Sequence, residues 1–397
     1  MKRVLLASVG ALLLVGAHSA AAQDSLTNAT RLQPPSAGQS TGSLITDQQR
    51  PDRAPIVPDA QRSTLTQAGP VVGLRQPLNA TVLRSVKFEG ATIPDADLYA
   101  ALSSFEGQPI TNATLQAMAN AVTAAYAKSD IALYTVFIPP QTLAEGQVTV
   151  QVTEGSIGQV VLTGEVKTTH LRLLKKYAAK LADERPLTRQ TLERYLSLIR
   201  DIPGLKVNPT LSASKTPGVQ IMTLDIDRTP YQAQLTFDDR GIARLGRIQA
   251  QAQLTVYSVI QQGDQTVLTV SAPPLEPSVF QYVSVAHSTP IGSDGLRLGA
   301  NFGYLRTKPK DSPLRGEAKN AGVNISYPLI RSYAENLYLT AALDGQDSDN
   351  AAFGRSITSD HSRAARLAAS WSQQEARQST SASFSVSQGL DAIGARV

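Results

Sequence analysis

Gly246-Arg247-Ile248-Gln249-Ala250-Gln251-Ala252-Gln253-Leu254-Thr255-Val256-Tyr257 alternates without a break. Ile248, Ala250, Ala252, Leu254 and Val256 are apolar; Gln249, Gln251, Gln253 and Thr255 between them are polar. Successive strand side chains point to opposite faces, so this reads as a β-strand with one greasy and one wet face. A soluble sheet could hold one such strand, but here the pattern recurs to the end of the chain. Leu296, Leu298, Ala300, Phe302 and Tyr304 form a second apolar face, and Ala321, Val323, Ile325 and Tyr327 a third. Leu337–Leu343, Ala365–Trp371 and Ala382–Val386 continue it. Segments of about ten alternating residues parted by turn residues are the signature of an outer-membrane barrel.

The rest of the composition agrees with export. The chain has 397 residues, no cysteine and a formal charge of +5. Without cysteine there is no disulfide, thiolate nucleophile or cysteine-ligated metal. Basic residues are scattered rather than striped with aromatics, which argues against nucleic acid as a partner. Lys2-Arg3, the apolar run Val4–Ala17 and Ala20-Ala21-Ala22 predict a secretory signal peptide over residues 1–22. Residues 23–83 are rich in Pro, Gln, Ser and Thr and lack a sustained period, so they read as an extended linker.

From Arg84 a unit of order β-α-α-β-β appears twice. The first copy has a strand at Ser85–Glu89, helices at Pro94–Leu102 and Thr111–Lys128, and strands at Ile131–Ile138 and Gln147–Val152. The second has a strand at Val160–Thr163, helices at Thr168–Ala182 and Thr188–Asp201, and strands at Leu205–Ser212 and Val219–Asp227. Pro109-Ile110-Thr111 with Leu115 echoes Pro186-Leu187-Thr188 with Leu192. In each, the threonine caps the second helix and the leucine sits one turn in.

These residues carry a resemblance. Val86-Lys87-Phe88-Glu89-Gly90, Gly107-Gln108-Pro109-Ile110-Thr111, Ile138-Pro139-Pro140-Gln141 and Val152-Thr153-Glu154-Gly155 resemble the first polypeptide-transport-associated (POTRA) domain of two-partner secretion transporters, the haemolysin secretion/activation family. Asp238-Asp239-Arg240-Gly241, Ser326-Tyr327-Pro328-Leu329-Ile330-Arg331, Asn336-Leu337-Tyr338-Leu339 and Ser387-Gln388-Gly389-Leu390 resemble its barrel segments in the same order. The resemblance implies two α+β periplasmic POTRA modules followed by an all-β antiparallel transmembrane barrel of about sixteen strands. The expected division is 84–155 and 156–228 for the modules and 229–397 for the N-terminal part of the barrel. That part holds about half the implied strands, and the family's V-R-G loop motif is missing, so the barrel is expected to be truncated. Closed on itself, so small a barrel would be too narrow for a polypeptide.

The implied function is translocation across the outer membrane of a large secreted β-helical partner of haemolysin or adhesin type. The barrel is expected to be monomeric, with its modules in the periplasm. The alternative is a truncated, non-transporting module that only binds the client. No catalytic fingerprint, cofactor motif or metal set is present, and an enzyme is not expected. Asp344, Asp347 and Asp349 lack an EF-hand register and read as a solvated loop, with His361 on another loop. The functional candidate is a strand edge, where an unfolded client adds a strand. On Ile131–Ile138, Tyr134, Val136 and Ile138 alternate with Thr135 and Phe137, and these apolar residues would equally serve to fill the module's core. Tyr257, Tyr282, Tyr304, Tyr327, Tyr333, Tyr338 and Trp371 fall near strand ends and are expected to form aromatic girdles against outer-membrane lipid.

Overall fold

The computed structural model describes residues 71–72, 81–143, 145–165, 171–239, 241–375, 377–392 and 394–395. The expected export signal, most of the linker and His170 lie outside the described residues. The first module comprises β1 (Val71–Val72), β2 (Ser85–Glu89), α1 (Asp95–Leu102), α2 (Asn112–Lys128), β3 (Tyr134–Ile138) and β4 (Gln147–Glu154). Its sheet runs β1-β3-β4-β2. Thr111 caps α2 by accepting from the Thr114 amide at 3.0 Å, and Leu115, Met118, Val122 and Tyr126 turn inward. The strand expected from Ile131 begins at Tyr134, because Ile131 bridges to Thr188 of the next module instead.

The second module comprises β5 (Ser156–Gly164), α3 (Arg172–Asp183), α4 (Arg189–Arg200), β6 (Leu205–Ala213) and β7 (Val219–Arg228), in sheet order β5-β7-β6. Thr188 caps α4 by accepting from the Thr191 amide at 3.2 Å. The two modules are joined tightly. Gly155 donates its amide to the Leu133 carbonyl at 2.7 Å and accepts from the Leu187 amide at 2.9 Å. A Cβ at Gly155 would meet Leu133 at 2.7 Å, so only glycine fits this crossing.

Nine strands follow in one antiparallel sheet ordered β16 to β8. They are β8 (Tyr231–Asp238), β9 (Gln249–Tyr257), β10 (Gln265–Ala272), β11 (Phe280–Ile291), β12 (Leu296–Thr307), β13 (Leu314–Arg331), β14 (Glu335–Ala352), β15 (Arg355–Gln374) and β16 (Ser379–Gly389). One cross-strand row reads Ala233, Leu254, Leu268, Val285, Phe302, Ala321, Gly345, Arg363. It starts in the apolar band and ends on a charge, because tilted barrel strands carry such a row out of the membrane. Leu235 and Phe237 on the apolar face are 62% and 63% exposed, a large apolar surface that only lipid would cover.

The strands β13, β14 and β15 are 18, 18 and 20 residues long, against about ten needed to span. Their excess lies beyond the apolar band on the side away from the second module. Asp344, Asp347 and Asp349 are therefore within β14, and His361 within β15, rather than on loops. Asp347 pairs with His361 and Arg363, each at 2.8 Å, and Asp349 accepts from the Ser359 hydroxyl at 2.6 Å. Cross-strand polar pairs keep the ladder regular where no lipid is present to select apolar residues.

The composition-based linker ends earlier than residue 83. Leu83 is 1% exposed in the first module's core, and its amide donates to the Gln108 carbonyl at 2.9 Å. A soluble fragment of residues 81–228 should unfold cooperatively, and Leu83→Ala should lower its stability by about 2–4 kcal/mol. An unchanged urea midpoint for Leu83→Ala would place that residue outside the core.

Candidate client-binding edge and barrel mouth

In the first module Tyr134, Val136 and Ile138 are buried, so their side chains fill the core. Thr135 and Phe137 turn to the other side and are half-buried. The Tyr126 and Tyr134 rings lie 5.0 Å apart, and the Tyr126 hydroxyl donates to Glu154 at 2.7 Å. Burial, and then that carboxylate, push the Tyr126 hydroxyl far up from its ordinary pKa, so it stays a donor. What β3 offers a partner is thus its backbone. One edge pairs with β4, while at the other Val71 and Val72 of β1 lie parallel to Phe137 and Ile138. Past the strand end at Pro139-Pro140, the Gln141 side chain imitates a peptide unit. Its oxygen accepts from the Thr149 amide at 2.7 Å and its nitrogen donates to the Thr149 carbonyl at 2.9 Å. In the second module, Pro209 sits within the edge strand β6 and removes a backbone donor.

The second module is seated on the barrel's near-end turns. Arg331 is 8% exposed and grips Asp201, at the end of α4, through two bonds of 2.7 Å. It also donates to Asn336 at 2.8 Å. Arg194 donates to the carbonyls of Pro328 at 3.1 Å and Asp294 at 2.9 Å. Its guanidinium lies 5.7 Å from the Tyr327 ring centre. The Tyr195 hydroxyl donates to Asp294 at 3.0 Å; burial, reinforced by that carboxylate, pushes it up to about 12.

The third contact completes a helix. Leu171 stands at the N-cap of α3 and supplies no capping bond. The Gln262 side-chain oxygen, from the turn between β9 and β10, accepts from the Leu173 amide at 2.6 Å and the Leu174 amide at 3.2 Å. The buried Asp264 carboxylate shapes that turn by accepting from the amides of Val259, Ile260 and Gln261 at 2.8, 2.7 and 2.7 Å. Arg194, Gln262, Asp264 and Asp294 did not stand out in the sequence, whereas Tyr327, Pro328, Arg331 and Asn336 belonged to quoted motifs.

The expected girdle divides by register. Tyr304, Tyr327 and Trp371 share the apolar face, opposite Val283, Leu339 and Leu337. The Tyr304 hydroxyl donates to Glu317 and the Trp371 indole to Glu335, at 2.9 and 2.8 Å. Tyr257, Tyr282 and Tyr338 take the opposite face, and Tyr333 lies in the turn after β13, against the second module's core. Those four therefore depart from the girdle: their register, or their packing under the second module, turns them from lipid.

Paired β-α-α-β-β modules seated beneath an antiparallel sheet with a lipid-facing outer surface define a barrel of the outer-membrane transporter class with periplasmic POTRA domains. Residues 81–155 match the model described as "POTRA domain, ShlB-type", and residues 220–397 the one described as "Haemolysin secretion/activation protein ShlB/FhaC/HecB". The chain belongs to this family of two-partner secretion outer-membrane transporters. It is 23% identical over 241 residues to the heme/hemopexin transporter protein HuxB of Haemophilus influenzae (strain 86-028NP), covering 58% of this chain and 41% of that protein. The chain thus spans about two fifths of that relative's length. Its fold is similar to CdiB from Escherichia coli, with a TM-score of 0.65 and 16% identity over 86% of this chain and 64% of the other. CdiB from Acinetobacter baumannii gives 0.53 and 13% over 82% and 67%.

Two substitutions test the seating in the detergent-solubilised protein. Asp201→Ala leaves the buried Arg331 guanidinium without its carboxylate. It should cost about 1–3 kcal/mol of seating, read as faster hydrogen exchange throughout α4. The reciprocal exchange Asp201→Arg with Arg331→Asp should recover part of that protection. Gln262→Ala should act locally, raising exchange at the Leu173 and Leu174 amides by about 5–30-fold for a lost cap of ~1–2 kcal/mol. Equal acceleration along the whole of α3 would show that Gln262 is not a cap.

Proposed function

We propose that the two modules and the sheet act in a transporter that exports a large secreted partner by two-partner secretion. The partner is a β-helical protein of haemolysin or adhesin type, and the transporter is a monomeric barrel. Residues 84–155 receive the client, residues 156–228 set the modules against the pore, and the sheet from residue 229 onward contributes the pore wall. The observation that carries this reading is the seating of the second module on the barrel turns through Arg331–Asp201, Arg194 and Gln262. It holds the second module against the near end of the sheet, and the first module is joined to the second through Gly155.

The client adds as a strand along β3, with its backbone paired to Tyr134–Ile138. Main-chain pairing supplies affinity for an unfolded segment without demanding a fixed sequence. Two residues of β1 already take up the far end of that edge, so a client strand of full length must displace them. Pro209 makes β6 the poorer template.

The experiment pairs secretion with binding. Cells carrying the full-length transporter should export the partner, and deletion of residues 81–155 should abolish export while leaving the barrel in the membrane. In the soluble modules extended to include β1, replacing Val71 and Val72 with aspartate should tighten binding of the partner's N-terminal segment, by up to about tenfold for a ~1.4 kcal/mol competitor. Unchanged affinity with intact folding would move the client from β3 to another edge.

A further inference from the structure

Three connections at the barrel's far end meet over one patch of its inner wall. They are residues 241–248, 273–279 and 308–313. The first carries the short 3-10 turn Ala243–Leu245 and is closed on itself. Its Gly241 amide donates to the Arg247 carbonyl at 2.9 Å, and the Gln249 side chain donates to the Leu245 and Gly246 carbonyls at 2.9 and 3.0 Å. It is also tied to its neighbours. The Lys310 amide donates to the Arg244 carbonyl at 2.9 Å, the Lys308 amide to the Val279 carbonyl at 2.9 Å, and the Lys310 ammonium pairs with Glu276.

Leu245 shows where this assembly points. It is 5% exposed and packs with Val279, Phe280, Tyr282, Leu305 and Ala318. Tyr282, Leu305 and Ala318 are successive cross-strand partners. The adjacent row of the same strands, Val283 with Tyr304, is on the apolar lipid face. The Leu245 cluster is therefore on the inner face, which is otherwise dominated by polar residues. Apolar side chains there would face water in an open channel, and residues 241–248 fold inward to cover them together with Val279 of the neighbouring connection.

The geometry points to residues 241–248 as an inward-folded strap that narrows the barrel's exit, pinned to the inner wall by Leu245. The strap itself stands on the fold; its place at an exit rests on the transport reading. A polypeptide leaving the lumen passes beside it or lifts it, and lifting breaks one apolar contact set and a few backbone bonds rather than the barrel ladder.

These 397 residues hold no cysteine, so an introduced thiol is the only one among them, and the unsubstituted transporter serves as the labelling blank. In intact cells carrying the full-length transporter, Leu245→Cys and Phe353→Cys are labelled separately with a membrane-impermeant maleimide. Phe353, at the tip between β14 and β15, is 86% exposed and serves as the free reference. The thiol of the Leu245→Cys variant should react at least about tenfold more slowly, since reaction requires the strap to open. Equal rates overturn the pin. Leu245→Asp should then raise uptake of a bulky antibiotic several-fold, and Leu305→Ala, which loosens the same pin from the wall side, should do so more mildly. Unchanged uptake in both variants, with normal barrel assembly, overturns the narrowing. Absence of secretion by the unsubstituted transporter would sink the transport reading alone, because the labelling rates do not depend on a client.

Discussion

A backbone amide or carbonyl in hydrocarbon has no water to bond, so each must find its partner within the chain. That constraint governs residues 229–397. It selects long antiparallel ladders, and the ladder fixes the side-chain period at two. The period then separates the outer row of Leu254, Leu268, Val285 and Phe302 from the inner Gln251, Gln253, Ser284 and Asn301. Even the polar Thr266 and His287 on the outer face obey it, bonding one another at 2.9 Å. Where the strands rise above the apolar band, the same ladder persists with Asp347, His361 and Arg363 as cross-strand partners.

The modules obey the same accounting at their junction with the sheet. Helix α3 begins without a cap of its own, and Gln262 supplies one from a barrel turn. Orphan amides at a helix start must be satisfied somewhere. Placing the acceptor on the barrel couples the first turn of α3 to the seating. Arg331 adds a charge whose burial is tolerable only with Asp201 in place. A module shifted on its seat without admitting water would leave the guanidinium and the helix amides unpaired, which favours one seated geometry.

Much of this was legible in the sequence, in proportion to how local the cause is. Strand alternation and the Pro-apolar-Thr caps are decided within a few residues, and the sheet, both module folds and the family followed from them. The girdle was only half legible. In the opening stretch Tyr257 already shares the wet face with Gln251 and Thr255, so nearness to a strand end was a weaker guide than register. The clamp was not legible, since Asp201 and Arg331 stand 130 residues apart and a charged residue near an element's end resembles any solvated one. Gln262 and Leu245 are hidden for the same reason: a turn glutamine and a loop leucine acquire their roles only from what the fold brings beside them. The linker's end was misplaced because Leu83 is apolar among polar neighbours, and its value lies in the cavity it fills.

The inner wall itself bears on how an extended chain could move. Gln232, Gln234, Gln251, Gln253, Asn301, Asn320, Asn324 and Thr340 present neutral amides and a hydroxyl toward the lumen. Each hydrogen bond such a group offers a passing peptide replaces one to water, so the net gain is small, about 0.5–1.5 kcal/mol at most. Neutral groups also hold no fixed charge against which a client of either sign must work, and the inward Asp344 and Arg366 pair with one another. A wall of this kind binds everywhere weakly and nowhere strongly, which favours sliding over capture. On the proposed reading, capture falls instead to a module edge such as β3, where successive main-chain bonds would act together. The inner wall departs from this near its far end, where Leu245 and its partners form an apolar patch. A strap that covers that patch removes the one surface on the described wall to which an unfolded, apolar-rich chain would adhere.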